Sequence, residues 1–321
     1  SNSRRCLFCT DDKHPQDLLK NGHIDHNIRL AIQEGLDPIM ALQMATINAA
    51  ECYHLTNVGA IAPAYFADIV IFDNLKDLNI MQVFKNGQLV AKDHRALFNL
   101  DGENDEKGYN KVNDVMKAKP LVTLDLQILL KSEVAQVIKM IPHSIVTQKV
   151  QREVAHHLDG TFKFDHSKDI IKMAVIERHK GLGNIGLGLV EGFGLKNGAI
   201  ALTIAHDSHN LIVIGDSDES MILAANRVIE VGGGIAICSG NEIRETLRLP
   251  IGGIMSNVSM EEVSEILLKM MEIAHKDLGV SKDYDPFMTL AFMALPVIPE
   301  IKLTDMGLFD VTTFSFIDIS V

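Results

Sequence analysis

Several features that mark large classes of protein are absent from this sequence. Cysteine is scarce, because the 321 residues include only four, too few for a disulfide framework. Cys6 and Cys9 form a CxxC pair without a second pair of ligands to complete a zinc site. No apolar run approaches the roughly 18 residues of a membrane helix, and no secretory signal is visible. We therefore expect a reduced, cytoplasmic protein without a membrane span, and we expect the cysteines, Cys52 and Cys238 included, to be buried.

Basic clusters are equally scarce. The chain has 30 Lys and Arg against 42 Asp and Glu, for a net charge of −12, and its longest basic cluster is the pair Arg4–Arg5. Phosphate binding requires a concentrated cationic surface. The charge balance therefore argues against a nucleic-acid polymer or an anionic membrane as partner. Hydrophobic residues at 47% and charged residues at 22% are typical of a globular chain, here of about two domains.

The first part of the chain, residues 1–92, opens with an apolar run. Arg5–Thr10 predicts a buried β-strand that ends abruptly at Asp11 and Asp12, as if the chain began within a larger architecture. Helices and strands with recognisable start and stop signals follow. The predicted elements are helices over Gly22–Gly35 and from Asp37 to about His54, a strand over Ala67–Asp73, and a hairpin of residues 80–85 and 88–91 joined by Asn86–Gly87.

The composition changes over residues 93–119, where Asn, Asp, Lys and Gly dominate and apolar periodicity fades, so we expect an inter-domain linker there. Residues 120–321 then alternate apolar runs with capped amphipathic segments. We expect a separate mixed α/β domain with strands near 170–177, 199–205 and 211–215, and with helices near 217–231 and 259–278. The fold class predicted for the whole chain is therefore α/β or α+β.

The first candidate for chemistry is the pair Asp11 and Asp12, which follows the predicted strand. The C-terminal ends of strands in parallel barrels carry catalytic groups, because the loops that follow them build the site. A carboxylate there can ligate a divalent metal and act as a general base. The competing interpretation is structural, with Asp12 capping the following turn.

The second candidate is the polar run His206-Asp207-Ser208-His209-Asn210, which lies between two apolar strands. His206 and His209 can converge on one ligand, and Asp207 can orient either imidazole. A hydrogen-bonded turn that only fixes packing explains the same pattern, and the residues alone do not decide between the two.

Several motifs give the chain a family resemblance. Residues 9–15 (CTDDKHP), 45–50 (ATINAA), 59–63 (GAIAP) and 67–71 (ADIVI) resemble the end of an amidohydrolase-superfamily enzyme, and within it the adenine deaminases. Ala64 and Tyr65 stand where these enzymes usually have a glycine. Residues 168–179, 183–188, 205–210 and 249–255 resemble the C-terminal domain particular to adenine deaminases.

The resemblance implies a fold and a reaction. The first part would supply the last strand of a (β/α)8 barrel with auxiliary β-sandwich strands, and residues 120–321 the C-terminal domain. It implies hydrolytic deamination of adenine to hypoxanthine and ammonia in purine salvage, at a binuclear divalent metal centre in which Mn or Fe is favoured over Zn. Asp11 would ligate the metal and, with Asp12, serve catalysis, while His206, Asp207, His209 and Asn210 would help to bind the purine.

One element of the family pattern is missing, because no His-x-His motif occurs in the sequence. We therefore expect the chain to be inactive alone, and to need the N-terminal half of the enzyme or a second copy, in a homo-oligomer. Two alternatives remain open: a non-catalytic binding or regulatory module that associates with another chain, and an amidohydrolase that acts on another cyclic amide or amidine.

Overall fold

The computed structural model describes residues 3–98, 111–113 and 115–321. The chain divides into two compact units, Ser1–Asn104 and Asp105–Val321. Residues 99–110 and 114 of the predicted linker lie outside the described residues, and the described part of that range includes the short strand at Arg95–Ala96. Within the described residues, no helix is both long and apolar enough to cross a membrane.

The first unit consists of a group of short helices followed by an antiparallel sheet. In chain order its elements are α1 Pro15–Asn21, α2 Ile24–Gln33, α3 Pro38–Ala45, α4 Ile47–Cys52, β1 Ile69–Phe72, β2 Ile80–Lys85, β3 Gln88–Lys92 and β4 Arg95–Ala96. The four strands are ordered β1-β2-β3-β4. The predicted Asn86–Gly87 hairpin is confirmed: both residues have positive φ (50° and 77°), as the twist of a two-residue turn requires.

The helix predicted from Asp37 to about His54 starts as expected but is divided. The Asp37 side chain accepts hydrogen bonds from two backbone N–H groups in the first turn of α3. At Thr46 the backbone leaves the helical region (φ −127°, ψ −91°), and its hydroxyl donates back to the Leu42 carbonyl at 2.7 Å. Such back-bonding competes with the helical pattern, so the single predicted helix becomes α3 and α4.

The buried strand predicted for Arg5–Thr10 is wrong for this chain. Ser3–Arg5 is a turn of 3-10 helix, and Cys6–Thr10 has no regular secondary structure. Within the described residues no strand pairs with this segment; helix side chains bind its carbonyls instead, as Asn48 Nδ2 donates to Cys6 O at 2.8 Å. Cys6 and Cys9 in this segment and Cys52 at the end of α4 are exposed, so the burial predicted for these three is wrong, whereas that predicted for Cys238 is confirmed.

The second unit is built on an eight-stranded sheet. Its strands are β5 Val134–Met140, β6 Thr147–Glu153, β7 Ile170–Ile176, β8 Ile185–Glu191, β9 Gly198–Leu202, β10 Leu211–Gly215, β11 Gly234–Ser239 and β12 Glu242–Arg248. The order is β12-β11-β9-β10-β7-β8-β5-β6, with one parallel pair, β5 and β8. The remaining elements are the helices α5 Asp218–Glu230, α6 Met260–Lys276 and α7 Pro286–Ala291, and a small sheet of β13 Ile301–Thr304, β14 Gly307–Asp310 and β15 Ser315–Phe316.

The two faces of this sheet carry side chains of different size. On one face, large residues such as Ile171, Met173 and Val175 pack with α6, α7 and the small sheet. On the other face, small residues such as Ala174 and Ala201 pack with α5, so that the helix approaches closely. The predicted N-caps Ser217 and Ser259 are confirmed, because each side chain accepts a backbone N–H in the first turn of its helix.

The central strands β7, β9 and β10 are buried along their whole length, so every polar group that follows them is positioned by a rigid layer. The turn from β9 to β10 contains residues 206–210, and β7 ends beside it at residue 176. These strand ends position the second candidate site.

Candidate functional site

The first candidate site, in the first unit, is the segment that carries Asp11 and Asp12. Two groups on or beside α2 hold the preceding residues: Asn27 Nδ2 donates to Cys9 O at 2.9 Å, and His23 Nε2 lies 3.3 Å from Thr10 Oγ1. Asp11 is exposed with a φ of +54°, a conformation that aspartate tolerates better than most residues. Its Oδ1 accepts the backbone N–H of Asp12 at 3.0 Å.

This segment does not by itself form a metal centre. Among the residues that the structure describes, no three His, Cys, Asp or Glu side chains converge as metal ligands. A divalent cation of the amidohydrolase type is held by several such groups together, and Asp11 supplies only one carboxylate. The donor set present in the described residues therefore does not fit a resident binuclear metal, and further ligands would have to come from elsewhere.

The second candidate site is the turn of residues 206–210, which we call the histidine turn. The structure brings its two imidazoles together, with the ring centroids of His206 and His209 5.7 Å apart. His206 also packs on Phe292 at a centroid distance of 4.6 Å. Asn210 is buried, and its Nδ2 donates to Asp305 Oδ1 at 3.1 Å. Asp207 is exposed.

The protonation of His209 is shaped by its surroundings. Burial lowers the pKa of its imidazole, and the neighbouring His206 and Arg178 lower it further, while Asp207 opposes the shift. Its Nδ1 accepts the backbone N–H of Ala205 at 3.3 Å. The turn therefore favours a neutral His209 with its Nδ1 already occupied as an acceptor.

Residues beyond β7 support the histidine turn, and sequence reasoning assigned them no role. The Arg178 guanidinium is fully buried and donates from Nε to His209 O at 2.5 Å and from Nη2 to Gly252 O at 3.0 Å. His179 Nε2 lies 2.7 Å from Ser208 O. Burial lowers the pKa of Arg178 to about 10, so it is still a cation at neutral pH.

Glu177 organises the loop after Arg178. Its carboxylate accepts three backbone N–H groups, from His179, Lys180 and Leu182, at 2.6 to 2.8 Å. Burial opposes ionisation, but these bonds outweigh it and hold the pKa of Glu177 below its usual range. Three charged or titratable residues directly after a mostly apolar strand that is buried throughout are a signal that sequence reading can use for this site.

Two family models match the chain. The adenine deaminase C-terminal domain matches residues 144–315, and the amidohydrolase family matches residues 1–90. The first match covers the histidine turn and its supporting residues, and the second covers Asp11 and Asp12. The match to the amidohydrolase family implies a divalent metal.

Curated relatives named adenine deaminase are similar over nearly the whole chain. One from Clostridium acetobutylicum is 50% identical over 316 residues, which is 98% of this chain and 55% of the relative. One from Nitratidesulfovibrio vulgaris is 44% identical over 320 residues (100% and 55%), and an adenine deaminase 2 from Carboxydothermus hydrogenoformans is 49% identical over 316 residues (98% and 54%). The chain thus spans about half the length of the curated relatives it matches. Because the C-terminal domain model covers more than half of its residues, the chain belongs to the adenine deaminase family.

Proposed function

We propose that this chain is the C-terminal portion of a metal-dependent adenine deaminase that converts adenine and water into hypoxanthine and ammonia, as a purine salvage enzyme. The observation that carries the proposal is the continuous similarity of almost the whole chain to relatives named for this activity. Residues 1–92 would be the end of the barrel with its sandwich strands, 93–119 the linker, and 120–321 the C-terminal domain. The cytoplasmic location expected from the sequence belongs to the same proposal.

In the proposed reaction Asp11 moves the protons. Water attacks C6 of adenine, forming the new C–O bond; Asp11 accepts the proton that water releases and returns it to the exocyclic nitrogen, which leaves as ammonia when the C6–N bond breaks. Asp12, one residue later, is the second carboxylate proposed to act in catalysis. General acid–base groups of this kind contribute roughly 10²–10⁴-fold to a rate.

The histidine turn is proposed to bind the purine through His206, Asp207, His209 and Asn210. A purine ring offers an aromatic face and a hydrogen-bonding edge. The turn offers two adjacent imidazoles for stacking, and polar groups beside them. The alternative, in which the turn only fixes packing, predicts that substitution of these side chains leaves the KM unchanged.

The metal in this proposal is a binuclear pair, with Mn or Fe favoured over Zn. It would be shared between Asp11 and ligands that lie outside the described residues of this chain. Because this chain does not supply all the metal ligands among its described residues, we expect it to need a partner for activity.

The partner we propose is the N-terminal half of the enzyme. The sheet of the first unit exposes an apolar groove, with Val70 49% and Phe98 52% exposed, and such a surface marks an interaction site. The curated relatives are nearly twice as long as the matched region. Its apolar lining residues are Ile69, Val70, Val83, Phe84, Val90 and Phe98, and the charged Asp68 and Lys85 complete the lining. The alternative occupant is a second copy of the chain, and a measurement of the molecular mass in solution would then show a homo-oligomer.

The test is complementation. The chain is co-expressed with the N-terminal portion of the Clostridium relative, and hypoxanthine and ammonia are measured after addition of adenine and Mn²⁺. Activity in the mixture and none in either part supports the proposal. D11N should lower kcat by about 100-fold or more, whereas D77N, a matched change of an exposed carboxylate on a turn of the same unit, should not.

The alternatives give different results in the same assay. Adenine binding without turnover in the mixture would favour a binding or regulatory module. Turnover of another cyclic amide or amidine, with adenine inert, would favour a related amidohydrolase. A complex that forms equally well when Val70→Asp and Val83→Asp replace apolar groove residues would contradict the groove as the docking surface.

A further inference from the structure

Arg178 is an unusual residue to bury completely. Its side chain has no exposed surface, and no carboxylate forms an ion pair with it in the part of the chain that is described. Its neighbour Glu177 is occupied by backbone N–H groups. Burying a charge costs free energy unless the charge is paired and hydrogen-bonded, so a buried guanidinium without an ion-pair partner points to a specific role. The side chain joins two loops that are far apart in sequence, through His209 O and Gly252 O.

The loop around Gly253 is shaped to admit this arginine. A Cβ placed on Gly253 would lie 2.6 Å from Arg178 Nη1 and 2.9 Å from its Cζ, closer than real Cβ contacts. Nη1 itself is buried without a hydrogen-bond partner among the described residues. The guanidinium is therefore held by close packing against Gly253 and by hydrogen bonds to two carbonyls. One of these carbonyls belongs to His209, so the positive charge lies next to the histidine turn.

The geometry of His209 specifies its tautomer. Because the Ala205 backbone N–H points at Nδ1 at a distance of 3.3 Å, Nδ1 must carry a lone pair, and the proton of a neutral imidazole lies on Nε2. The ring then presents Nε2–H as a donor. The matching ligand group is a hydrogen-bond acceptor, such as an unprotonated ring nitrogen of a purine.

We propose that Arg178 is a positioning residue of the histidine turn: it fixes the turn through His209 O and keeps His209 in its neutral Nε2–H form, so that the site donates a hydrogen bond to an uncharged ring-nitrogen acceptor. This inference deepens the proposed function and rests on it for the identity of the ligand. The protonation state itself is a property of the chain alone.

The charges that face His209 come from two elements. His206 and Asp207 lie on its own turn, and Arg178 and His179 lie in the loop that follows β7; Phe292, which contacts His206, is uncharged. Of the basic groups among them, Arg178 is the guanidinium, and with a pKa of about 10 it stays a cation throughout the neutral pH range. Removing it should therefore raise the pH at which His209 becomes protonated.

The first measurement is the imidazole nitrogen spectrum of the ¹⁵N-labelled chain as a function of pH, with H209Q to assign the signals. In the wild type, Nε2 should be protonated and Nδ1 bare at pH 7. R178M should shift the midpoint of His209 protonation to higher pH, R178K should leave it near the wild-type value because the charge is kept, and the control R227M, on α5, should leave it unchanged. A wild-type His209 protonated on Nδ1, or identical midpoints in R178M and R227M, would overturn the proposal.

The second measurement uses the complemented enzyme. The lysine of R178K cannot donate to both the His209 and the Gly252 carbonyls as the guanidinium does. The KM for adenine should therefore rise roughly three- to tenfold, which is the effect of one hydrogen bond, and kcat should change less. An unchanged KM refutes the positioning role. If adenine is not turned over at all, the proposed function fails, while the spectra still decide the role of Arg178. If R178M does not fold, the wild-type tautomer and the R178K variant keep the inference testable.

Discussion

The contact between Gly253 and Arg178 leads to a sharp prediction about stability. Replacing Gly253 with alanine places a methyl group 2.6 Å from Nη1, 2.9 Å from Cζ and 3.0 Å from Nη2 of Arg178. The guanidinium is fully buried and bound to two carbonyls, so it cannot turn aside into solvent. Gly253 also has a φ of +75°, a conformation that disfavours any residue with a Cβ.

The expected magnitude has two parts. The left-handed backbone costs about 1–2 kcal/mol for alanine, and overpacking a filled site costs about 1–3 kcal/mol, which gives a loss of about 2–5 kcal/mol in the free energy of unfolding of the second unit. Gly183 is a matched control, because its φ is +78° and no atom lies within 4 Å of its Cβ position. G183A should therefore show the backbone part alone.

The assay must follow the second unit by itself. The chain has no tryptophan, so hydrogen exchange of peptides from β9, β10 and β11 serves better than fluorescence, with urea unfolding by circular dichroism alongside. R178M removes all three clashing atoms, so the double variant R178M/G253A should recover the steric part as a coupling energy of about 1–3 kcal/mol. Equal losses in G253A and G183A, or additive effects in the double variant, would refute the reasoning.

Three further predictions concern stability. A64G should stabilise the first unit by about 0.5–1 kcal/mol in urea unfolding, because Ala64 holds a φ of +67° that glycine adopts more readily; a loss would contradict this. D37A should destabilise α3 by about 1 kcal/mol through loss of its N-cap, visible as faster amide exchange in its first turn. Hydrogen bonds from Lys149 and Thr312 hold the pKa of the buried Asp310 well below its usual range, so its contribution is complete above about pH 4 and is lost as the pH falls towards the folded-state pKa. D310N should therefore lower the free energy of unfolding by about 1–3 kcal/mol at pH 7. Its free energy of unfolding should also fall less steeply than that of the wild type as the pH is lowered below about 4.

Much of the fold follows from local signals in the sequence. Asn86–Gly87 predicts its hairpin because only a few residues adopt positive φ at both turn positions. Ser217 and Ser259 mark helix starts because a side-chain oxygen can satisfy an N–H group that the helix leaves unpaired. The run Ile170–Ile176 is predicted as a strand and is buried throughout. Each of these signals acts within a few residues, so the sequence alone displays it.

Arg5–Thr10 shows why other elements escape such a reading. An apolar run states a preference for burial, but a strand also needs a neighbour to receive its hydrogen bonds. In the described residues Asn27 and Asn48 take up carbonyls of this segment, and the segment stays irregular. The break between α3 and α4 at Thr46 is equally hidden from the sequence. Nothing near Thr46 in the chain shows that its hydroxyl will donate to Leu42 O rather than to water.

The candidate sites divide along the same line. The polar residues of the histidine turn stand out between two apolar strands, so sequence reading finds them. The support from Arg178 depends on carbonyls 31 and 74 residues away, a distance at which spacing carries no signal. His23 and Asn27, one helical turn apart, brace the residues before Asp11 and could have been found from their i,i+4 spacing.

The two candidate sites differ in how much of their organisation this chain supplies. The histidine turn is held by groups of the second unit: Arg178 binds its backbone, Asp305 binds Asn210, and the Ala205 N–H occupies His209 Nδ1. If the histidine turn binds the purine as proposed, it can do so without the partner, because its donors are already oriented. Asp11 is exposed, and the described residues offer it no converging metal ligands. We therefore expect ligand recognition at the histidine turn to survive in the isolated chain, as a weak adenine affinity that H209Q lowers and D11N leaves unchanged, whereas turnover requires the partner that completes the surroundings of Asp11.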